Sequence, residues 1–210
     1  MRYAAKYLFL LLVTVLISAA SPAQKFSASV FAGMSSSQVS GDRLGGFNKV
    51  GVMGGGSVMT RLSEHFDIEM EMMFVQKGSR KPIDGETGDY SYYKMRLNYV
   101  EVPLLFNWNY VQKFIFYAGP SVSQLLFSQE EDEYGIITGQ KPFYKTELSI
   151  NGGMYYALFK NGYIDIRISN SVIPIRDNPS GLSTTFNHGQ YNTVLSFSLK
   201  YRFNKAGEGQ

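Results

Sequence analysis

The chain has 210 residues, 44% hydrophobic, 15% aromatic and 18% charged, with 21 Gly and no Cys. That is enough apolar mass for one folded domain and excludes a disordered chain, a disulfide framework and a thiolate metal site. A formal charge of +3 without any Lys/Arg run argues against nucleic acid as a partner.

Residues 1–23 read as a signal peptide. Arg2 and Lys6 supply the basic start, 7–17 the apolar core, and Ser21, Pro22 and Ala23 a small-residue cleavage site, with a second site after Ala20. The apolar run is shorter than the roughly 20 residues that a membrane-spanning helix needs. Removing it leaves a mature chain, from Gln24, that is nearly neutral.

From there the 15 Tyr, 15 Phe and abundant Gly favour strands over helices. Period-two alternation predicts eight strands, at about 25–36, 47–60, 65–77, 92–108, 113–127, 143–158, 163–175 and 190–203. The connections after the second, fourth and sixth are short (61–65, 109–113, 160–162). Those after the first, third, fifth and seventh are longer and polar (37–46, 78–90, 128–141, 176–189). An up-and-down meander places alternate connections at opposite ends, so one rim is tight and the other elaborated, as in outer-membrane barrels with short periplasmic turns. The expectation is an all-β fold: an eight-stranded antiparallel up-and-down transmembrane β-barrel over 24–203, with a periplasmic tail at 204–210.

The stretch FDIEMEMMF (66–74) poses the question of which face is outside. Phe66, Ile68, Met70, Met72 and Phe74 alternate with Asp67, Glu69 and Glu71, giving one apolar and one acidic face. A soluble barrel would turn the apolar face inward; a membrane barrel would turn it to lipid. Periodicity alone does not separate the two. Gly- and Ser-rich stretches such as GVMGGGSV (51–58) suit a crowded interior, in which large residues on one strand need small ones opposite. Aromatics also gather at the strand ends. Phe26, Phe66, Trp108, Tyr110, Phe114, Phe159, Tyr201 and Phe203 mark the tight rim, and Phe47, Tyr92, Tyr93, Phe127, Phe143, Tyr144 and Tyr191 the other, like the interfacial girdles of membrane barrels. The reading adopted is that Asp67, Glu69, Glu71, Glu101 and Asp165 face the lumen, neutralised by Arg96, Arg167, Lys200 and Arg202, since buried charge persists only when paired. An eight-stranded interior is filled by side chains, which disfavours an open pore.

LNYVEVPLLFNW (97–108) carries a family resemblance. Through Leu97, Asn98, Tyr99, Glu101, Pro103, Leu104 and Leu105 it resembles the PorT-like outer-membrane β-barrel proteins of Bacteroidota, whose fourth strand reads Leu-Asn-Tyr-Leu-Glu-Ile-Pro-Leu-Leu; QKFSASVFAGM, FYAGPSVSQLL and a last strand ending at Phe203 are similar too. The resemblance implies a small outer-membrane barrel, some of whose relatives serve secretion or gliding assemblies, and a structural signature in Glu101 and Pro103. Pro103 has no N–H and should sit at a bulge or a gap in the ladder.

Catalytic and ligand patterns are weak. The two histidines are His65 and His188, and His188 lies near Asp177, Ser180 and Ser183 without a supporting motif. Asp84, Glu86 and Asp89, and Glu130, Glu131, Asp132 and Glu133, form acidic loops without EF-hand spacing and read as solvated. GVMGGGSV lacks the Lys-Ser/Thr of a phosphate loop. The expectation is therefore no enzyme, no cofactor and no metal. The role expected is a scaffold or component of an envelope or secretion assembly. Its partners would be outer-membrane lipid and lipopolysaccharide, and an envelope protein met through the long loops or periplasmic rim. A soluble periplasmic lipocalin-like barrel holding a small apolar ligand and a small solute channel are the alternatives.

Overall fold

The computed structural model describes residues 26–42, 44–83, 90–177 and 189–203, the side chains at 110 and 111 excepted. The segments 1–23 and 204–210, the acids Asp84, Glu86 and Asp89, and Ser180, Ser183 and His188 lie outside the described residues. In chain order the strands are β1 (Phe26–Ser40), β2 (Lys49–Arg61), β3 (Phe66–Lys81), β4 (Tyr93–Val111), β5 (Phe114–Asp132), the two-residue β6 (Gly135–Ile136), β7 (Thr146–Phe159), β8 (Gly162–Ser171), the two-residue β9 (Arg176–Asp177) and β10 (Gly189–Arg202).

The eight long strands pair antiparallel in the order β1-β2-β3-β4-β5-β7-β8-β10. The sheet closes through β1 and β10, in register from Ser29↔Arg202 to Ser40↔Tyr191, so no long edge is left unpaired. The tight turns shrink to 62–65, 112–113 and 160–161. In the first, the Leu62 and Ser63 amides both donate to the Phe66 carbonyl, at 2.9 and 3.0 Å.

On the long-loop side β1, β3 and β5 run past their expected ends, to Ser40, Lys81 and Asp132. Backbone pairing continues there after the hydrophobic alternation that marked the strands has faded, because a solvated hairpin stem still needs its hydrogen bonds met. β4 and β5 have 19 residues each, well beyond the ~9–11 that cross a bilayer, so their hairpin stands clear of the apolar band. β8 instead stops at Ser171, short of the expected 175. Pro174, which has no N–H to donate, follows closely, and the chain then folds over the barrel mouth. Ile175 is buried there, donating its amide to Gln190 O (2.8 Å) and accepting from Tyr144 N (2.8 Å).

Pro103 points inward on β4. Pairing with β3 stops at Met70↔Leu104 and resumes at Met73↔Glu101, so the ladder is interrupted where the proline cannot donate. The register between β4 and β5 shifts between Asn98 and Tyr99, where Asn98 faces Phe127 and Tyr99 faces Leu125. The extra residue, Leu126, is a bulge that reverses which residues of β5 face inward.

Candidate functional site

The two faces of the wall differ in chemistry. Outward stand Met34, Val52, Met70, Met72, Phe106, Ile150, Ile168, Phe197 and Leu199, with Met72 66% and Leu199 65% exposed. Inward stand charged, hydroxyl and amide side chains. An exposed apolar surface running around a whole barrel far exceeds the few hundred Å² that soluble monomers tolerate, so these rows face hydrocarbon and the soluble lipocalin-like alternative is disfavoured. The band ends in aromatics. At the tight rim Phe26, Phe66, Trp108, Phe159, Tyr201 and Phe203 are all exposed, with Trp108 and Phe116 ring centroids 6.4 Å apart and Tyr201 edge-on to Phe203 at 5.5 Å. The side chain of Tyr110 is outside the described ones. At the other rim Phe47, Phe127 and Tyr144 are exposed. Tyr93 and Phe143 are a correction. The parity of β4 turns Tyr93 inward to donate to Glu130, and Phe143 is drawn inward under the Arg176 guanidinium, 4.2 Å from ring to Cζ.

Charged side chains cross the lumen at three levels. In the first, Lys200 Nζ reaches Glu69 Oε1 (2.8 Å), Glu71 Oε1 (2.7 Å) and Tyr155 Oη (2.8 Å). Arg167 bonds Glu71 Oε2 through Nη1 (2.7 Å) and Asp165 Oδ2 through Nη2 (3.1 Å), while its Nε donates to Tyr117 Oη (3.0 Å). The Tyr117 hydroxyl donates to Asp165 in turn. Ser57 Oγ and Asn107 Nδ2 donate to the two oxygens of Glu69, at 2.5 and 3.0 Å. Glu69 is 0% and Arg167 2% exposed, so this set joins β2, β3, β4, β5, β7, β8 and β10 through the interior. Gly153 makes room for it, because a Cβ there would collide with the Tyr117 phenol. Gly55, inward on β2, likewise accepts Met73 of β3 at a distance no side chain would allow.

At the second level Lys77 Nζ bridges Glu101 Oε2 (2.7 Å) and Glu147 Oε1 (2.9 Å). Ser121, Ser149 and Asn192 donate to the same carboxylates at 2.7–2.8 Å. Neither Lys77 nor Glu147 was among the expected lumen charges. The signal was present, since Lys77 has the same parity as Asp67, Glu69 and Glu71, and Glu147 the same parity as Ser149 and Asn151. The third level caps the long-loop end. Arg176 Nη1 and Nη2 grip Glu130 Oε2 and Oε1 at 2.6 and 3.0 Å, and its Nε donates to Gln190 Oε1 (3.0 Å). Glu130 was expected in a solvated loop. The bulge at Leu126 turns it inward instead. Glu131 remains outside, bonded to Lys94 and Tyr92. Apolar groups fill the lumen beside these levels: Phe31, Met53, Val75, Met95, Leu97 and Tyr99 toward the long loops, and Leu105, Tyr117, Tyr155 and Tyr163 toward the tight turns.

Two expected members of the network stand elsewhere. Arg96 lies on the outward parity of β4, between buried Met95 and Leu97, and takes no part in the lumen. Arg202 does point inward, but among the described residues it meets no carboxylate. Its Nη1 lies 3.5 Å from Tyr163 Oη and its Cζ 4.8 Å from that ring. Asp67 is paired at the tight rim, with Arg61 Nε 3.5 Å from its Oδ1 and Asn109 donating to its Oδ2. In the family motif Leu97, Tyr99, Glu101, Pro103 and Leu105 face inward, and Asn98 and Leu104 outward. Beyond the wall, burial holds the Asp42 carboxyl above its ordinary value, and the Asp177 carboxylate, accepting from Tyr144 Oη at 2.8 Å, raises that phenol. Among the described residues no group of three or more His, Asp or Glu is placed to hold a metal ion.

A lipid-facing apolar band, aromatic rims and a charged, filled interior define an eight-stranded outer-membrane β-barrel. The sequence matches the outer membrane protein beta-barrel domain over residues 21–207, and the chain belongs to that family. Its location is the outer membrane. Among solved structures it is similar to Ail, the attachment invasion locus protein of Yersinia pestis, in complex with the heparin analogue sucrose octasulfate: 13% identity, 85% of this chain and 99% of that one, TM-score 0.51. Neisserial surface protein A aligns at 12% identity over 87% of this chain and 100% of that one, TM-score 0.49. OprG of Pseudomonas aeruginosa aligns at 12% identity over 86% and 95%, TM-score 0.38. No curated protein matches the sequence.

Proposed function

We propose that the chain is a closed scaffold of the outer membrane, a PorT-like barrel that contributes a rigid wall to an envelope or secretion assembly and conducts no solute. The observation that supports this is the cross-lumen lattice of Lys200, Glu69, Glu71 and Arg167. Its bonds of 2.7–2.8 Å span the interior from β10 and β8 to β3. Opening a path there would strand several buried charges, each at a cost of several kcal/mol. The PorT-like assignment within the family rests on the 97–105 motif, and the assembly role on that resemblance. Catalysis has no such support, because the buried acids are each engaged by a base, a hydroxyl or an amide.

Planar-bilayer recording of the folded barrel tests closure. The expected trace stays at the lipid baseline, and discrete, reproducible conductance steps would contradict it. Crosslinking in native membranes, with photoreactive residues at the periplasmic turns and the long loops, tests assembly. A scaffold gives one recurrent adduct, whereas only lipid adducts would remove the assembly role.

A further inference from the structure

The tight-turn mouth of the barrel holds a cavity of about 490 Å³, walled by Arg61, Asp67, Asn109, Lys113, Tyr163 and Arg202, among others. Arg202 is 5% exposed, yet among the described residues its Nε and Nη2 have no hydrogen-bond partner. These two nitrogens form the side-on edge of the guanidinium, whose parallel N–H groups match two oxygens of one carboxylate or phosphate. The other edge is held in place, with Nη1 toward Tyr163 Oη and the plane stacked on the Tyr163 ring, so the fork is oriented before any ligand arrives. Ser29, directly across from Arg202 on β1, and Ser27, one inward position nearer the rim, carry buried hydroxyls that are also unpartnered among the described residues. The balance of charge favours an anion. Among the described residues Arg61, Lys113 and Arg202 line the cavity against the single carboxylate of Asp67, which is already engaged by Arg61 and Asn109. Every other inward Arg or Lys in the three lumen levels has a carboxylate within 3.1 Å. Arg202 differs from them by opening onto solvent-accessible space at the tight-turn mouth.

We propose that this mouth is an anion-binding site, in which Arg202 takes a carboxylate or phosphate group of a periplasmic ligand in bidentate fashion and Ser27 and Ser29 supply further hydrogen bonds. The inference depends on the geometry of the mouth and not on the scaffold reading, so either can fail without the other.

The test is a titration of the full chain, folded in lipid nanodiscs, with inorganic phosphate and separately with acetate, following the Arg202 Nε–H resonance. The expected result is a saturable shift of that resonance with at least one anion. The larger response identifies the group, phosphate pointing to a phosphorylated ligand and acetate to a carboxylate one. Arg202→Lys, which keeps the charge and removes the fork, should weaken binding at least tenfold, followed in this variant and in the wild type through the backbone amide resonance of Tyr163, while heat-modifiable migration is retained. Lys113→Gln, which leaves the fork intact, should weaken it only a few-fold. A wild-type resonance unmoved by both anions, as for a fork satisfied by water alone, overturns the proposal, as would undiminished binding in Arg202→Lys.

Discussion

Lys200 holds two carboxylates on adjacent inward positions of β3, Glu69 and Glu71, which would otherwise repel each other in a medium far less polarisable than water. Its ammonium also lies 4.2 Å from the Tyr155 ring centroid. Replacing it with Met removes the attraction and leaves both acids buried, which should cost about 3–5 kcal/mol. Urea unfolding of Lys200→Met in lipid vesicles checks this. The triple variant that also carries Glu69→Gln and Glu71→Gln should recover most of the loss, because it leaves no uncompensated charge, and an unchanged midpoint in the single variant would show that the lattice does not bear on stability. Side-chain parity made Glu69, Glu71, Arg167 and Lys200 legible in the sequence. It did not reveal which acid meets which base. That choice depends on the stagger between strands far apart in the chain, as between Lys200 and Glu69. Arg202 has the right parity and, among the described residues, still no acid, because it stands one inward position beyond Lys200 and the first level, at the open tight-turn mouth.

The elements were legible wherever one face meets hydrocarbon. The alternation along 66–74, or along 195–203, is enforced by lipid on one side and packed polar groups on the other. It fades where both faces are polar, and there the ends of β1, β3 and β5 were misplaced. Arg96 belongs to that stretch of β4, above the apolar band, where inward Met95 and Leu97 are apolar and the outward positions are charged, so a rule assigning charge to the lumen fails. The bulge at Leu126 has no signature that parity alone could read, yet it decides the partner of Arg176. Deleting Leu126, the extra residue, should restore unbroken alternation and keep Glu130 inward opposite Met95, so that Arg176 retains its acid. Limited trypsin digestion of the folded barrel would report this as unchanged resistance after Arg176. New cleavage at that bond would show that the bulge itself, and not the register it sets, is what orients Glu130.

At the scale of the whole molecule the fold is a membrane protein with its polarity reversed, lipid outside and ion pairs within, and no single strand carries that information. It emerges from the closure of eight amphipathic strands, the alternation of short and long connections, and the confinement of large aromatics to two rims. The carboxylates of the 66–74 stretch are hidden because the hydrocarbon outside can accept Met70 and cannot accept Glu69. The most direct test places a nitroxide at each of these adjacent positions in turn, through Met70→Cys and Glu69→Cys, in barrels folded into lipid vesicles. The measurement is relaxation by oxygen, which partitions into lipid, against relaxation by a water-soluble nickel chelate. The label at 70 is predicted to respond strongly to oxygen and weakly to nickel, and the label at 69 weakly to both. Strong nickel relaxation at 69, with a label at 70 shielded from both reagents, would contradict the outward orientation of the apolar face.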